Sequence, residues 1–277
     1  MSSLFKKDKD QMPNSKSSKI AVILYTLRDF AATPAQAART LKRIRKIGYE
    51  NIQVSAGAFI SLDPGEMRKM ADDAGLKIIG SHYGLEEFRS STDRVIDRVK
   101  AYGCSHIAIP SFSYGEGNLQ TWKSFAKECN KIGRKLLREG IHLQYHNHAF
   151  EFEKLGVRGG KGGRTRFEIL MENSDPRYLQ SELDLGWVSR GAYDPVDVLA
   201  MVKGRVDQVH AKDWGVLLHD PVWRAVGEGG LNWSAIIKAA KSAGVKMWIV
   251  EQDDCPMTND PFKSIAISYE NLMGMGI

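Results

Sequence analysis

Eight short apolar segments, each separated from the next by a stretch with helix-forming character, run through this chain of 277 residues. The apolar segments are rich in β-branched and aromatic side chains, which is typical of buried strands. We place them at 19–25, 49–54, 76–79, 105–109, 141–146, 178–183, 205–210 and 246–251. Strands that alternate with helices pair in parallel through right-handed crossovers, because each helix must pack back on the sheet. The alternation therefore predicts an α/β fold with a parallel sheet.

Capping residues mark where the helices between these strands begin and end. Thr33-Pro34 and Asp63-Pro64 each place a capping oxygen before a proline, which is a common start of a helix. Gly48 can end the first helix, because glycine readily adopts the left-handed backbone of a C-terminal cap. We predict helices over about 33–48, 63–75, 92–103, 119–138, 167–173, 233–243 and 259–273, with another starting at 194.

Eight strand–helix units in a chain of this length predict a closed (β/α)8 TIM barrel, a single domain over residues 19–277. The alternative is an open doubly wound sheet, but no glycine-rich phosphate loop follows the first strand. Residues 1–18 are polar and are predicted to form a disordered tail. The glycine-rich stretch 154–167 is predicted to be irregular. Trp214 and Trp223 are predicted to lie in a loop.

The net charge of +6 does not indicate a nucleic-acid partner. The excess of basic residues is concentrated in the N-terminal tail and in the stretch 154–167, and the rest of the chain is slightly acidic. We interpret both basic segments as solvated and flexible. No apolar run approaches the roughly 20 residues that span a bilayer. Cys104, Cys129 and Cys255 are widely spaced, which favours reduced thiols and a cytoplasmic location.

Polar side chains stand where most of the predicted strands end. In a barrel of this type, the carboxyl ends of the strands surround the catalytic site. The side chains predicted to line this mouth are Tyr25, Arg28, Gln53, His82, His146, His148, Asp184, His210, Lys212 and Glu251. Imidazole and carboxylate ligands together suit Mn²⁺, Fe²⁺, Co²⁺ or Zn²⁺. A closed structural zinc site is not expected, because no thiolate stands among these residues.

Each of these polar residues also has an ordinary structural explanation. Asp184 could cap the turn after its strand, and His210 could be a hydrogen-bonded histidine at the barrel rim. Glu251 could form an ion pair with Lys212. These alternatives stay open at the level of single residues, whereas the repetition at successive strand ends favours one assembled site.

Several motifs occur in a characteristic order along the chain. They are YHNHAFEF at 145–152, LDLGW at 183–187, HAKD at 210–213 and Glu251, with VILYTLRD at 22–29 near the start. Together they resemble the sugar phosphate isomerase/epimerase superfamily, the xylose-isomerase-like TIM barrels. The resemblance extends from about residue 20 to the C-terminus. It is most similar to a branch of the superfamily in which YHNH replaces a glutamate-containing motif.

The resemblance implies a set of metal ligands. In the superfamily, Glu, Asp, His and Glu from the fifth to eighth strands hold a divalent metal. Asp184, His210 and Glu251 match the last three positions, and His146 stands at the first. The implied ligands are therefore these four residues, and the implied metal is Mn, Co, Zn, Fe or Mg. Trp187 stands where the usual histidine follows the LDxG motif.

The resemblance further implies an enzyme that acts on a carbohydrate or keto-sugar. The expected reaction is isomerisation or epimerisation by proton transfer through an enediolate, which a metal stabilises by chelating the carbonyl and a neighbouring hydroxyl. The residues expected to take part in catalysis are Glu151, His148, Glu251 and Lys212. The residues expected to contact the substrate are His82, Trp187, Trp214 and Arg28. The abundance of tryptophan without a phosphate cradle favours an unphosphorylated sugar.

Two other functions remain alternatives to the isomerase or epimerase. A metal-dependent keto-glycoside lyase or dehydratase would share the same intermediate, and a barrel could bind a sugar without catalysis. Abasic-site DNA repair occurs on the same fold, but it needs a trinuclear metal cluster and a basic surface, so no nucleic-acid partner is expected. No membrane partner is expected either, and the resemblance leaves a homo-oligomer open.

Overall fold

A computed structural model describes residues 18–112, 117–156 and 163–277. Eight parallel strands close into a barrel in the order β1-β12-β9-β8-β5-β4-β3-β2. The barrel strands are β1 (Ile20–Ile23), β2 (Asn51–Val54), β3 (Lys77–His82), β4 (His106–Ile109), β5 (His142–His146), β8 (Gln180–Asp184), β9 (Gln208–Ala211) and β12 (Met247–Val250). This confirms the (β/α)8 prediction. The predicted disordered tail at 1–18 lies, except for Ser18, outside the described residues.

Helices surround the barrel, and the longer ones follow the predicted pattern. They are α1 (Pro34–Ile47), α2 (Gly57–Ser61), α3 (Pro64–Asp73), α4 (Leu85–Tyr102), α5 (Leu119–Arg138), α6 (Arg166–Asn173), α7 (Leu185–Arg190), α8 (Pro195–Met201), α9 (Trp233–Ala243) and α10 (Pro261–Gly274). Thr33 caps α1 in a capping box with Gln36, and Asp63 caps α3 through two backbone N–H groups. The predicted spans of α5 and α9 agree with the structure.

The start predicted for α4, at residue 92, was wrong. This helix begins at Leu85 and bends at Ser91, whose backbone is extended with φ −164° and ψ 101°. The hydroxyl of Ser91 accepts a hydrogen bond from the backbone N–H of Arg94 at 3.2 Å, as an N-terminal cap does. Ser91 is therefore the N-terminal cap of a second helical segment, which is why the sequence predicts a helix start near residue 92.

The segment with Trp214 and Trp223 is also different from the prediction of a loop. It is an antiparallel hairpin of β10 (Asp213–Leu217) and β11 (Asp220–Arg224), in which Trp214 pairs with Trp223. Part of the stretch 154–167 is regular as well, because β6 (Lys154–Leu155) pairs with β7 (Arg164–Thr165). The guanidinium of Arg166 is buried and pairs with Glu153, so this part of the basic stretch is not a solvated segment.

The interior of the barrel is unusually polar. One small apolar cluster of Ala21, Ile23, Ile79 and Ile249 lies inside the strands, whereas the large core lies between the strands and the helices. Buried polar side chains on the inner face of the barrel strands include Gln53, Gln144, Glu182 and Gln208. Among the described helices, none combines the length and apolar character that a bilayer crossing requires.

Candidate metal centre at the barrel mouth

Four strands bring one ligand group each to the carboxyl end of the barrel. His146 ends β5, Asp184 ends β8, His210 lies in β9, and Glu251 follows β12 directly. Their ligand atoms all lie within 4.8 Å of one another, and the four side chains are buried. Parallel pairing in register causes this convergence, because Asp184 lies beside His210 in the sheet. The structure thus brings together the four residues that the sequence singled out as ligands.

Two atoms of this group have no hydrogen-bond partner among the described residues. They are Nδ1 of His146 and Oδ2 of Asp184, both buried. Oδ2 of Asp184 lies 3.4 Å from the ammonium group of Lys212, and Nδ1 of His146 lies 3.7 Å from Oε2 of Glu182. These distances are longer than those of ordinary hydrogen bonds, and a bound cation would give Oδ2 a closer partner. The donor set of two imidazoles and two carboxylates is also one that divalent transition metals accept. These residues therefore fit a divalent metal.

A second group of ligands lies one layer deeper and shares two histidines with the first. Glu182 precedes Asp184 by two residues, so both side chains point into the barrel. Oε2 of Glu182 lies 2.6 Å from Nε2 of His82 and 3.2 Å from Nε2 of His210. Gln53 donates a hydrogen bond from Nε2 to Oε1 of Glu182. The sequence interpretation missed Glu182, although its two-residue spacing from Asp184 was a signal for the same inner face.

The ammonium group of Lys212 lies beside the same carboxylates. Its Nζ is 3.3 Å from Oε2 of Glu251 and 3.4 Å from Oδ2 of Asp184. It donates to Asp253 at 2.9 Å, and the lysine side chain is completely buried. Nζ also lies 5.0 Å from the ring centroid of Trp187 and 4.7 Å from that of Trp223. Lys212 therefore neutralises part of the buried negative charge and holds the segment after β12.

The charges of the cluster follow from burial and from these contacts. Burial raises the pKa of Asp184 to about 7, against the opposing effect of Lys212. Burial acts in the same direction on Glu251, yet Lys212 and His210 hold its pKa well below the usual range. Burial would lower the pKa of His210, but Glu182 and Glu251 together raise it to about 10. Glu251 is thus the ionised partner of both cations in the metal-free cluster.

The pKa values of His146 and His148 are lowered, whereas that of His210 is raised. Burial, reinforced by the neighbouring His210, lowers the pKa of His146 well below its usual value. Burial and the charge of Lys212 lower the pKa of His148 to about 4. Both imidazoles are consequently neutral at pH 7 and keep a lone pair for a metal or a proton. Nδ1 of His148 has no hydrogen-bond partner among the described residues.

An open cavity of about 380 Å³ leads to this cluster. Its lining includes His82, His146, His148 and Glu251, together with Tyr25, Tyr83, Glu87 and Asp253. None of the described residues that line it is a lysine or arginine. Its size suits a small polar ligand, and its carboxylates disfavour an anionic one.

The other residues predicted for the site lie at its margin or outside it. The carboxylate of Glu151 accepts hydrogen bonds from the hydroxyl of Tyr145 at 2.7 Å and from the backbone N–H of His148 at 2.8 Å. It is completely buried beside Tyr145, which packs in the outer core, and it does not line the cavity. The structure therefore does not bring Glu151 to the metal group.

Arg28 and the two tryptophans do not line the cavity either. The guanidinium of Arg28 donates to the carbonyl oxygens of Tyr25 and Asp253, both at 2.9 Å, and so fastens the segment after β12. The indole N–H of Trp214 donates to Ser189 at 3.1 Å. Trp187 packs against His148, with 5.4 Å between ring centroids, and so supports a residue of the wall.

Comparisons with known proteins agree with this architecture. The family described as xylose isomerase-like TIM barrel matches residues 41–261. A sugar phosphate isomerase/epimerase from Parabacteroides distasonis has a similar structure, with a TM-score of 0.80, 23% identity and coverage of 95% of this chain and 96% of that one. An L-ribulose 3-epimerase has a TM-score of 0.71 at 16% identity, covering 93% of each chain. At these identities, the likeness shows the fold alone.

Sequence relatives include inosose dehydratases from several bacteria. The one from Geobacillus kaustophilus is 24% identical over 204 residues, which cover 63% of this chain and 61% of that protein. The one from Clostridium tetani is 32% identical over 96 residues, or 34% of this chain and 29% of that protein. The chain thus spans less than two thirds of the length of the curated relatives it matches.

Proposed function

This chain belongs to the xylose isomerase-like TIM barrel family, and on that premise we propose that it is a metal-dependent enzyme that moves a proton next to the carbonyl of a sugar or keto-sugar. One observation carries the proposal. Four ligand atoms, from His146, Asp184, His210 and Glu251, lie within 4.8 Å of one another beside an open cavity of sugar size.

His146, Asp184, His210 and Glu251 would hold the metal. A bound divalent ion supplies Lewis acidity, because it withdraws charge from a chelated carbonyl and acidifies the adjacent C–H. The residues of the chain must then bind the sugar, orient it and move the proton. The hydroxyls of Tyr25 and Tyr83 and the carboxylate of Glu87 line the cavity and can hydrogen-bond the sugar hydroxyls.

His148 is the best-placed group to accept the proton. It lines the cavity, and its imidazole is neutral at pH 7. Glu251 is less available as a base, because Oε2 already contacts His210 at 2.8 Å and Lys212 at 3.3 Å. Lys212 contributes through its charge, which opposes the effect of burial and lowers the pKa of Asp184, Glu251 and Asp253.

The arrangement favours isomerisation over epimerisation. Isomerisation returns the proton on the same face of the enediolate, so one base suffices, whereas epimerisation needs an acid on each face. Glu251 and Asp253 both come from the end of β12, and the carboxylate of Glu151 is turned away. The absence of lysine and arginine from the described cavity lining favours an unphosphorylated sugar.

Elimination is the second candidate. A lyase or dehydratase starts with the same proton abstraction and then breaks the C–O bond at the next carbon. One acid–base group again suffices if it returns the abstracted proton to the leaving oxygen. Two observations favour it. The sequence relatives include inosose dehydratases, and a groove of about 510 Å³ shares Ile60, Tyr83 and Glu87 with the cavity, which leaves room for a leaving group beyond one sugar ring.

Turnover in deuterated water tests the proposal. The metal-loaded protein is incubated with a panel of unphosphorylated aldoses, ketoses, keto-sugars and keto-glycosides. We expect metal-dependent product, and a product of isomerisation should carry deuterium on the carbon next to the carbonyl. Interconversion of an aldose and a ketose indicates isomerisation, an epimer of the substrate indicates epimerisation, and an unsaturated product indicates elimination. Metal-dependent turnover in which the substrate's own hydrogen moves without solvent incorporation would exclude proton transfer, and saturable binding without turnover would favour a sugar-binding barrel.

A further inference from the structure

Glu182 is a buried carboxylate whose ionic contacts are with imidazoles. In the described part of the chain, no lysine or arginine pairs with it, and its side chain is completely inaccessible. Nε2 of His82 lies 2.6 Å from Oε2, Nε2 of His210 lies 3.2 Å away, and Nδ1 of His146 lies 3.7 Å away. A buried charge survives only where such contacts offset its lost hydration. These contacts join Glu182 to two of the four candidate metal ligands.

The contacts of His210 determine which of its nitrogens carries a proton. Nε2 faces Oε2 of Glu182 and, at 3.0 Å, Oε1 of Gln53. The amide nitrogen of Gln53 donates to the other oxygen of Glu182, so its oxygen is the atom turned toward His210. Both atoms that face Nε2 are therefore acceptors, and Nε2 must donate.

With the proton held at Nε2, Nδ1 is the nitrogen left for a metal. Nδ1 lies 2.8 Å from Oε2 of Glu251, on the side of the candidate metal centre. A carboxylate that accepts the second N–H of a metal-binding histidine orients the ring, selects its tautomer and makes it a better ligand. The same carboxylate also contacts His82, whose ring is stacked on that of His210 with 5.6 Å between centroids.

We propose that Glu182 is the positioning residue of the metal centre: it holds the proton of His210 at Nε2 and thereby increases the affinity of the centre for a divalent cation. This inference rests on the proposed metal centre and adds a residue to it. Glu182 touches neither the metal nor the substrate in this role. It acts through His210, and Gln53 supports it by presenting its amide oxygen to the same nitrogen.

Glu182→Gln tests the role, because it removes the charge and keeps the shape. We expect the affinity for Zn²⁺, measured by competition with a chromogenic chelator, to fall about 10- to 100-fold. Asp207→Asn is the matched control. Asp207 accepts hydrogen bonds from His106 and Gln144, both at 3.1 Å, and precedes β9 at the opposite end of the barrel from the metal group. This control should bind Zn²⁺ as the unchanged protein does.

An unchanged affinity in Glu182→Gln would overturn the inference. A second result would also overturn it, namely that Asp184→Asn and Glu251→Gln retain zinc while Glu182→Gln loses it. The ion would then lie in the deeper group. If the unchanged protein binds no zinc, the proposed function fails first, and the role of Glu182 fails with it. A failure confined to Glu182→Gln leaves the proposed function standing.

A measurement on the unchanged protein covers the case in which Glu182→Gln does not fold. Nitrogen-15 NMR of the zinc-loaded protein distinguishes the two nitrogens of His210. We expect a protonated Nε2 with a one-bond proton coupling and a metal-shifted Nδ1. The opposite tautomer, with zinc on Nε2, would overturn the inference whatever the stability of the variant.

Discussion

Nζ of Lys212 lies 3.3 Å from Oε2 of Glu251, the same oxygen that Nδ1 of His210 contacts at 2.8 Å. An ammonium group and the imidazole of a candidate metal ligand thus converge on one carboxylate oxygen. A divalent ion held by Glu251 and Asp184 would also contact oxygens that Lys212 neutralises. Lys212 therefore neutralises part of the negative charge of the carboxylates without a metal, and a bound metal would neutralise more of it.

Removal of either carboxylate should abolish metal binding. We expect the unchanged protein to purify with about one equivalent of a transition metal per chain, and Asp184→Asn and Glu251→Gln to purify without it. An amide oxygen is a much weaker ligand than a carboxylate for these ions. Elemental analysis of protein prepared without chelator provides the measurement. Full metal content in both variants would show that the ligands have been misassigned.

Lys212→Met should destabilise the metal-free protein, and a divalent metal should restore part of the loss. Breaking a buried ion pair leaves uncompensated charge and costs about 3–5 kcal/mol. Added Zn²⁺ supplies positive charge to the same carboxylates, Asp184 and Glu251. Denaturant unfolding with and without Zn²⁺ measures both effects. A variant as stable as the unchanged protein without metal would show that the carboxylates do not need the ammonium group.

His148→Gln and Glu151→Gln form a matched pair for the catalytic base. We expect His148→Gln to retain metal and to lose about 100- to 10,000-fold in rate, the usual cost of removing an acid–base group. Glu151→Gln should retain the rate, because its carboxylate is bound to Tyr145 and to the backbone of His148. Steady-state kinetics on whichever sugar is turned over decides between them. The reverse pattern would identify Glu151 as the base.

Glu151 should also make the stability of the protein depend on pH. Burial raises the pKa of Glu151 to about 7, above the value of an unfolded glutamate. A raised pKa stabilises the fold below the unfolded value, near 4.5, and this contribution disappears as the pH rises through about 7. Over that range, the free energy of unfolding should decrease on the order of 3 kcal/mol more in the unchanged protein than in Glu151→Gln. Parallel pH profiles of the two proteins would contradict the burial effect.

Local signals in the sequence predicted much of the scaffold. The cap of α1 at Thr33 and the span of α5 follow from capping residues and apolar spacing, which depend on neighbours a few positions away. The grouping of His146, Asp184, His210 and Glu251 followed from one further rule, that the ends of parallel strands meet at one face of a barrel. That these four residues hold a metal stays a prediction.

Contacts between distant segments decided the rest. Glu151 follows the histidines of the YHNH motif closely, yet the short 3-10 turn Phe150–Phe152 carries its carboxylate to Tyr145 in the outer core. In the sequence, Glu182 resembles an ordinary polar residue in a strand. Only the register of β8 against β9 places it one layer below the metal group, against His210 and His82.

The sequence by itself determined the eight barrel strands, their order, and which strand ends carry chemical groups, because periodicity and capping are local properties of the chain. Only the tertiary structure decided the layer of each polar side chain and its partner. The layer and the partner depend on strand register and on closure of the barrel. Burial and neighbouring charges then determine whether each group carries a proton. The candidate base His148 and the carboxylate Glu182 were therefore distinguished from Glu151 only in the folded barrel.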